Sequence, residues 1–165
     1  MSEQLTAKDT NAKTEEEAAN AAMQEAISAQ IDYEELMLVH IGEKKFLIRV
    51  KEAEKVVRPQ RLTSVPMAPN HLIGVCNIHG LVACIVDPVK VLSLKGELAA
   101  IAEHTRFILY KHPRMKVGLQ VDSISQVVQI REDLLPVSDG HHNIRGTIEI
   151  KGEQYPLLDL NILFQ

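Results

Sequence analysis

Tryptophan is absent from this 165-residue chain, and aromatic residues together make up only 4% of it. Proteins that grip single-stranded nucleic acid stack bases on aromatic side chains set in a basic face. A chain this poor in rings is not built for nucleic acid. There are two cysteines, Cys76 and Cys84. Their spacing is not that of a zinc site, and two small buried thiols in a reducing compartment are expected in preference to a disulfide. No apolar run approaches the roughly 20 residues that a membrane-spanning helix requires. The opening stretch MSEQLTAKDTNAKTEEEAANAAM has no hydrophobic segment of the kind that exports a chain. A cytoplasmic location without membrane insertion is expected.

Catalytic signatures are equally scarce. Ser93, Ser123 and Ser125 sit in no nucleophile elbow, and neither cysteine has a His and an orienting acid beside it in sequence. Glycine-rich phosphate cradles are missing. Of the seven histidines (His40, His71, His79, His104, His112, His141, His142), only His141 and His142 are local to each other. Neighbours on a strand point to opposite faces, which is wrong for a shared metal. The expectation is no enzyme, no metal and no cofactor; a metal-binding β-barrel is the weaker alternative.

What is present begins with uneven charge. The net charge is −4, and residues 1–30 carry all of it: Glu3, Asp9, Glu15, Glu16, Glu17 and Glu25 against Lys8 and Lys13. The remainder is neutral as a whole, with a basic excess over residues 43–61 from Lys44, Lys45, Arg49, Lys51, Lys55, Arg58 and Arg61. Such an excess suggests a partner with an acidic surface.

Two regions follow from the patterning: an acidic, Ala-rich extension over 1–30 and a body over 31–165. In the extension, Thr14 with Glu17 three residues on reads as a capping box, and Ala19, Met23, Ile27 and Ile31 make a narrow stripe, predicting a helix over 14–30. Residues 1–13 hold too little apolar content to order themselves. In the body the period changes to two. The runs LMLVHI, KFLIRV, LVACIV, RFILYK, KVGLQV, TIEI and YPLLDL alternate with Gly, Pro and charged pairs, predicting a mainly β fold. EAEKVV and DPVKVL read as a turn or two of helix.

The body also echoes itself. Laid over each other, Gly74 falls on Gly146, Ile78 on Ile150, Gly80 on Gly152, Asp87 on Asp159 and Val91 on Leu163. RVKEAEKVV from Arg49 matches QVDSISQVV from Gln120, and Pro66 lies over Pro136. Two copies of one unit of about 70 residues are implied, each too small to be comfortable alone. Gly80 and Gly152 suit tight hairpins that need positive φ. Asp87 and Asp159 suit helix caps, with Pro88 at the first helical position.

Three ordered motifs, HLIGVCNIHGLVACIVDPVKVL, KVGLQVDSISQVVQI and IRGTIEIKGEQYPLLDLNIL, resemble the CheW-like family of chemosensory coupling proteins across residues 34–165. The resemblance implies two small five-stranded β-barrels side by side and a non-catalytic adaptor in chemotaxis signal transduction. Its implied partners are the cytoplasmic tip of a chemoreceptor (a methyl-accepting chemotaxis protein) and the regulatory domain of a CheA-type histidine kinase, in a two-component system. By motif position, the receptor and kinase interface would include Ala53, Lys55, Val56, Gly74, His79, Gly118, Asp122 and Gly146. Glycines there are read as letting a partner helix approach the backbone, so that Gly74→Asp or Gly118→Asp would weaken receptor association while the domain stays folded. The chain departs from the family at His79, where Arg is usual, at Lys55, where Glu is common, and at Asp87-Pro88. The first two normally pair, so their joint change points to a divergent member, with an adaptor of a pilus-motility or other non-flagellar array as the alternative.

Overall fold

The computed structural model describes the backbone of residues 3–165 and the side chains of residues 13–27 and 30–165. The part of the expected unstructured stretch that falls on Met1 and Ser2 lies outside the described residues. Helix α1 runs Glu3–Ala29, starting well before Thr14. Nothing in residues 1–30 breaks a helix, since Gly and Pro are absent and Ala, Glu, Gln and Lys dominate. Thr14 therefore lies inside the helix and does not cap it.

Ten strands follow: β1 (Tyr33–Ile41), β2 (Lys44–Arg49), β3 (Ala53–Val57), β4 (Leu72–Ile78), β5 (Leu81–Val86), β6 (Arg106–Tyr110), β7 (Lys116–Val121), β8 (Ser123–Arg131), β9 (Ile144–Ile150) and β10 (Glu153–Leu158). Short helices α2 (Pro88–Val91) and α3 (Leu160–Leu163) follow β5 and β10. EAEKVV is not helical. Its Val56 and Val57 pair with Ile108 and Phe107 of β6, and that pairing overrides the helical preference of Glu-Ala-Glu-Lys. Strand β8 passes unpredicted because it is mostly polar and its apolar residues, Ile124, Val128 and Ile130, are only half-buried, with Val127 exposed.

The strands form two five-stranded sheets, one in the order β3-β6-β7-β5-β4 (sheet I) and one in the order β8-β1-β2-β10-β9 (sheet II). Overlaying the duplicated units makes β1 to β5 equivalent to β6 to β10, and the two sheet orders are then the same. Each sheet takes three strands from one unit and two from the other. Strands β1 and β2 of the first unit complete the second unit's sheet, and β6 and β7 complete the first's. The units meet at two seams in each sheet, the antiparallel pairs β3–β6 and β1–β8 and the parallel pairs β5–β7 and β2–β10. Each unit's sheet is thus completed by a hairpin of the other.

Two-sided burial explains the near-continuous apolar runs. Met37, Val39 and Ile41 of β1, Phe46 and Ile48 of β2, Ile108 and Tyr110 of β6, and Leu119 and Val121 of β7 meet in one core between the sheets. The alternate residues face inward on their own sheet: Phe107, Leu109, Ala83 and Ile85 in sheet I, and Leu36, Leu38, Leu47 and Leu157 in sheet II. Cys76 and Cys84 obey the same alternation. Cys76 lies opposite Ala83 and Cys84 opposite Val75, so the thiols face opposite sides of one hairpin, Cys76 into the core of sheet I and Cys84 toward the core between the sheets.

The repeated punctuation behaves as its chemistry requires. His79-Gly80 (φ 51° and 85°) and Lys151-Gly152 (φ 52° and 81°) make the two hairpin turns with positive φ at both central residues. Asp87 accepts from the Val89 and Lys90 amides at 2.8 and 3.4 Å, and Pro88 opens α2. Asp159 accepts from the Asn161 and Ile162 amides at 3.1 and 3.3 Å at the start of α3.

Candidate functional site

The residues singled out by motif do not all converge. Ala53, Lys55 and Val56 lie along β3, an edge of sheet I, with Lys55 and Val56 exposed. His79 sits exposed in the β4–β5 turn at the opposite edge. Sheet I nonetheless curls far enough that Lys55 and His79 line the same small cleft of about 50 Å³, floored by Ile78, Ala83 and Leu109. Glu54, beside Lys55, pairs with Lys116 at this cleft's rim. Ala53 lines a second, more polar cleft of about 590 Å³ between the sheets, with Tyr33, Glu35, Val50, Lys111 and Gln129 among its neighbours.

The three glycines serve the chain's own packing. A β-carbon on Gly74 would come within 2.7 Å of the Thr63 carbonyl oxygen, and one on Gly118 within 2.7 Å of Leu109 Cδ2 and 3.0 Å of the Ile108 oxygen. Gly146, at φ 150°, would meet Pro136 at 2.8 Å. The close approach that glycine permits is made by this molecule's loops and strands, so the expected effect of an aspartate at Gly74 or Gly118 is on the fold itself. Asp122 is likewise internal in role: its Oδ2 accepts from the Gly42 amide at 2.8 Å, and its own amide donates to His40 at 2.8 Å, tying the β1–β2 turn to the start of β8.

Sequence reasoning missed a buried ionic network at the junction of the sheets. Arg49 donates to both carboxylate oxygens of Glu34, at 2.7 and 2.6 Å, and Lys51 reaches the same carboxylate. Arg145 donates to Glu52 at 2.9 Å and places Nε 3.0 Å from Asp159 Oδ2. Ser138 donates to Asp159 at 2.5 Å, and the Leu160 amide to Glu52 at 3.3 Å. Glu52 occupies the short turn Val50–Glu52 where the chain leaves sheet II for sheet I, so the network grips the crossover itself. Tyr110 of sheet I closes it through its hydroxyl on Asn161 of α3.

The charges here shift as their surroundings dictate. The Arg49 guanidinium holds the Glu34 carboxyl down to about 2, against the burial that would raise it. Burial pushes Glu52 up, with Arg145 opposing. Burial alone would also raise Asp159, but the Ser138 hydroxyl and Arg145 outweigh it and bring the carboxyl below its usual value. The one sign available beforehand was a charged residue inside an apolar run, Arg49 in KFLIRV. The basic excess over 43–61 is accordingly not one patch: Arg49 is internal, Lys44 and Lys45 cap the β1–β2 turn of sheet II, and Lys55, Arg58 and Arg61 follow the edge of sheet I.

Among the described residues, no group of three or more His, Cys, Asp or Glu side chains is placed to hold a metal ion, and no helix is long and apolar enough to cross a membrane. The CheW-like domain family matches residues 35–165, nearly the whole two-sheet body. The chain belongs to that family. The chemotaxis protein CheW of Rhizobium meliloti (strain 1021) is 26% identical over 136 residues, covering 79% of this chain and 86% of that one. CheW of Helicobacter pylori (strain ATCC 700392 / 26695) is 30% identical over 102 residues, 60% of this chain and 59% of its own. The crystal structure of the scaffolding protein TtCheW from Thermoanaerobacter tengcongensis superposes with a TM-score of 0.70 at 19% identity, covering 81% of this chain and 89% of that one, a likeness of fold. Family membership makes this chain a chemotaxis coupling adaptor with the CheW-like fold, as its motifs implied.

Proposed function

We propose that the chain is a non-catalytic cytoplasmic scaffold that links the cytoplasmic tip of a chemoreceptor to the regulatory domain of a CheA-type histidine kinase. The receptor would dock along Ala53, Lys55 and Val56 of β3 and His79 of the β4–β5 turn; Gly74 and Gly118 support that sheet from within, whereas Asp122 and Gly146 make their contacts in sheet II and stand apart from this surface. The observation that carries this reading is the meeting of Lys55 and His79 at one exposed cleft although they occupy opposite edges of sheet I. Its floor is apolar and its rim charged, an arrangement suited to holding a helical surface. The buried carboxylates are engaged in ion pairs and caps rather than poised toward a substrate, which fits binding without turnover.

Lys55 and His79 replace the Glu and Arg usual in the family, so this surface would select a receptor that differs in charge from one recognised by the common pair. That favours service in a specialised array, such as one governing pilus motility. The test is retention of purified receptor-tip and kinase regulatory-domain fragments on the immobilised full-length chain. Lys55→Glu and His79→Asp should each lower receptor retention about tenfold, the effect of roughly 1.4 kcal/mol, with circular dichroism unchanged. Undiminished retention by both variants would remove this surface from the account.

A further inference from the structure

A second cleft lies outside the surface just described. The core between the sheets opens, beside the two short helices, into a cleft of about 660 Å³ walled by Leu72, Cys84, Val86, Val91, Val117 and Phe164. None of Ala53, Lys55, Val56 or His79 lines it. Lys90, His71 and His112 stand at its polar rim. Met115, also at the rim, is 55% exposed.

The same chain carries a complementary element. Residues 13–27 of α1 are exposed throughout, including Met23 at 65% and Ile27 at 53%. With Ala19 they form one narrow apolar stripe, set among Glu15, Glu16, Glu17 and Glu25. The stripe matches the apolar wall, and the acids match Lys90 and the histidines of the rim. Cis occupancy is opposed by the short link between α1 and β1. Gln30 closes the helix on Ile27, and Asp32 is fixed by its carbonyl, which accepts from the Glu132 amide at 2.8 Å. This ties the root of α1 to the β8 edge of sheet II and leaves no slack for a reversal.

We propose that the Met23–Ile27 stripe of α1 docks in the Cys84–Phe164 cleft of a second copy of this chain. Reciprocal exchange of the two helices then closes a two-fold dimer, in which each body receives its partner's arm and no further surface is left open for growth. The −4 carried by residues 1–30 facing Lys90 and the histidines of the rim makes the contact attractive in charge and sensitive to salt.

Cys84 lines the cleft, which gives a direct test on the full chain. Met23→Cys under mild oxidation should yield an intermolecular disulfide between position 23 of one chain and Cys84 of another, read by mass spectrometry after non-reducing separation. Ala21→Cys, on the opposite side of the helix, should not. In light scattering the unmodified chain should show twice the single-chain mass. The exposed-site variants Met23→Asp/Ile27→Asp and Met115→Asp should each return it to one chain with unchanged circular dichroism. An intramolecular disulfide, equal trapping at position 21, no trapping, or a wild-type mass of one chain would each overturn the proposal. Receptor retention by the Lys55 and His79 variants reads a different surface, so the two proposals fail independently.

Discussion

The two copies of the hairpin–aspartate–helix unit share a backbone and differ in what surrounds it. Asp87 donates its amide to His71 and Asp159 donates its amide to Asn143, both at 2.7 Å, and each carboxylate caps the helix that follows. Beyond that they part. Where the second copy has Arg145, the first has Ile73, so Asp87 caps α2 with no ion pair among the described residues, while Asp159 is drawn into the network of Arg145, Ser138 and Glu52. One copy is held by a proline and apolar contacts; the other grips the crossover Val50–Glu52 that joins the sheets. Duplication supplied the scaffold, and divergence at a few positions gave one half the task of locking the halves together.

The largest expected effect lies in sheet I. Gly118→Asp places a carboxylate against Leu109 and the Ile108 carbonyl in sheet I, and loss of cooperative folding is expected, a cost above about 4 kcal/mol. Thermal denaturation with an unchanged midpoint would show that the strand can open there. Next comes the contrast itself. Asp159→Ala removes a cap and leaves Arg145 short of a partner, with an expected cost of about 3–5 kcal/mol in urea unfolding, whereas Asp87→Ala removes a cap alone, about 1 kcal/mol. Equal costs would erase the distinction between the copies.

Acid titration sharpens the comparison further. Glu34 has its carboxyl depressed in the folded state, so its stabilisation is present above the unfolded value near 4.5 and is lost as pH falls toward 2. Glu52, shifted upward, works in the other direction: it favours the folded state at low pH and that contribution fades as pH rises through its folded value. Stability should therefore drop below about pH 4.5, by up to about 3 kcal/mol from Glu34. Glu34→Gln should flatten that limb; a urea midpoint that still falls steeply between pH 4.5 and 2 in the variant would assign the acid sensitivity elsewhere. The smallest effect is expected at Pro88→Ala, about 0.4–1 kcal/mol through a freer unfolded chain, with no counterpart at Leu160.

The strand positions, the two hairpin turns and both aspartate caps were legible because each rests on local chemistry: two-residue alternation, glycine at positive φ, a short acid before free amides. The register of Gly74 with Gly146 and of Asp87 with Asp159 was legible for the same reason. Strands β3 and β8 were not: EAEKVV prefers a helix until β6 lies beside it, and SISQVVQIR is mostly polar and only half-buried. The role of the glycines was also misread, because the atoms that crowd Gly74 come from Thr63 in a loop that no local pattern places. Lys55 and His79 are separated by most of a sheet in the chain's order and meet only because that sheet curls.

What the sequence determined alone is therefore the local grammar: a duplicated β unit, its turns and its caps, and the family it belongs to. The exchange of β1 and β2 for β6 and β7, the burial of Arg49 and Glu52 at the crossover, and the meeting of the two sheet edges were decided by tertiary structure. Their physical reason is shared: an apolar strand with two buried faces fixes its own conformation, but which partner it pairs with depends on an arrangement that covers both faces at once and gives its buried carboxylates an ion pair or a helix cap.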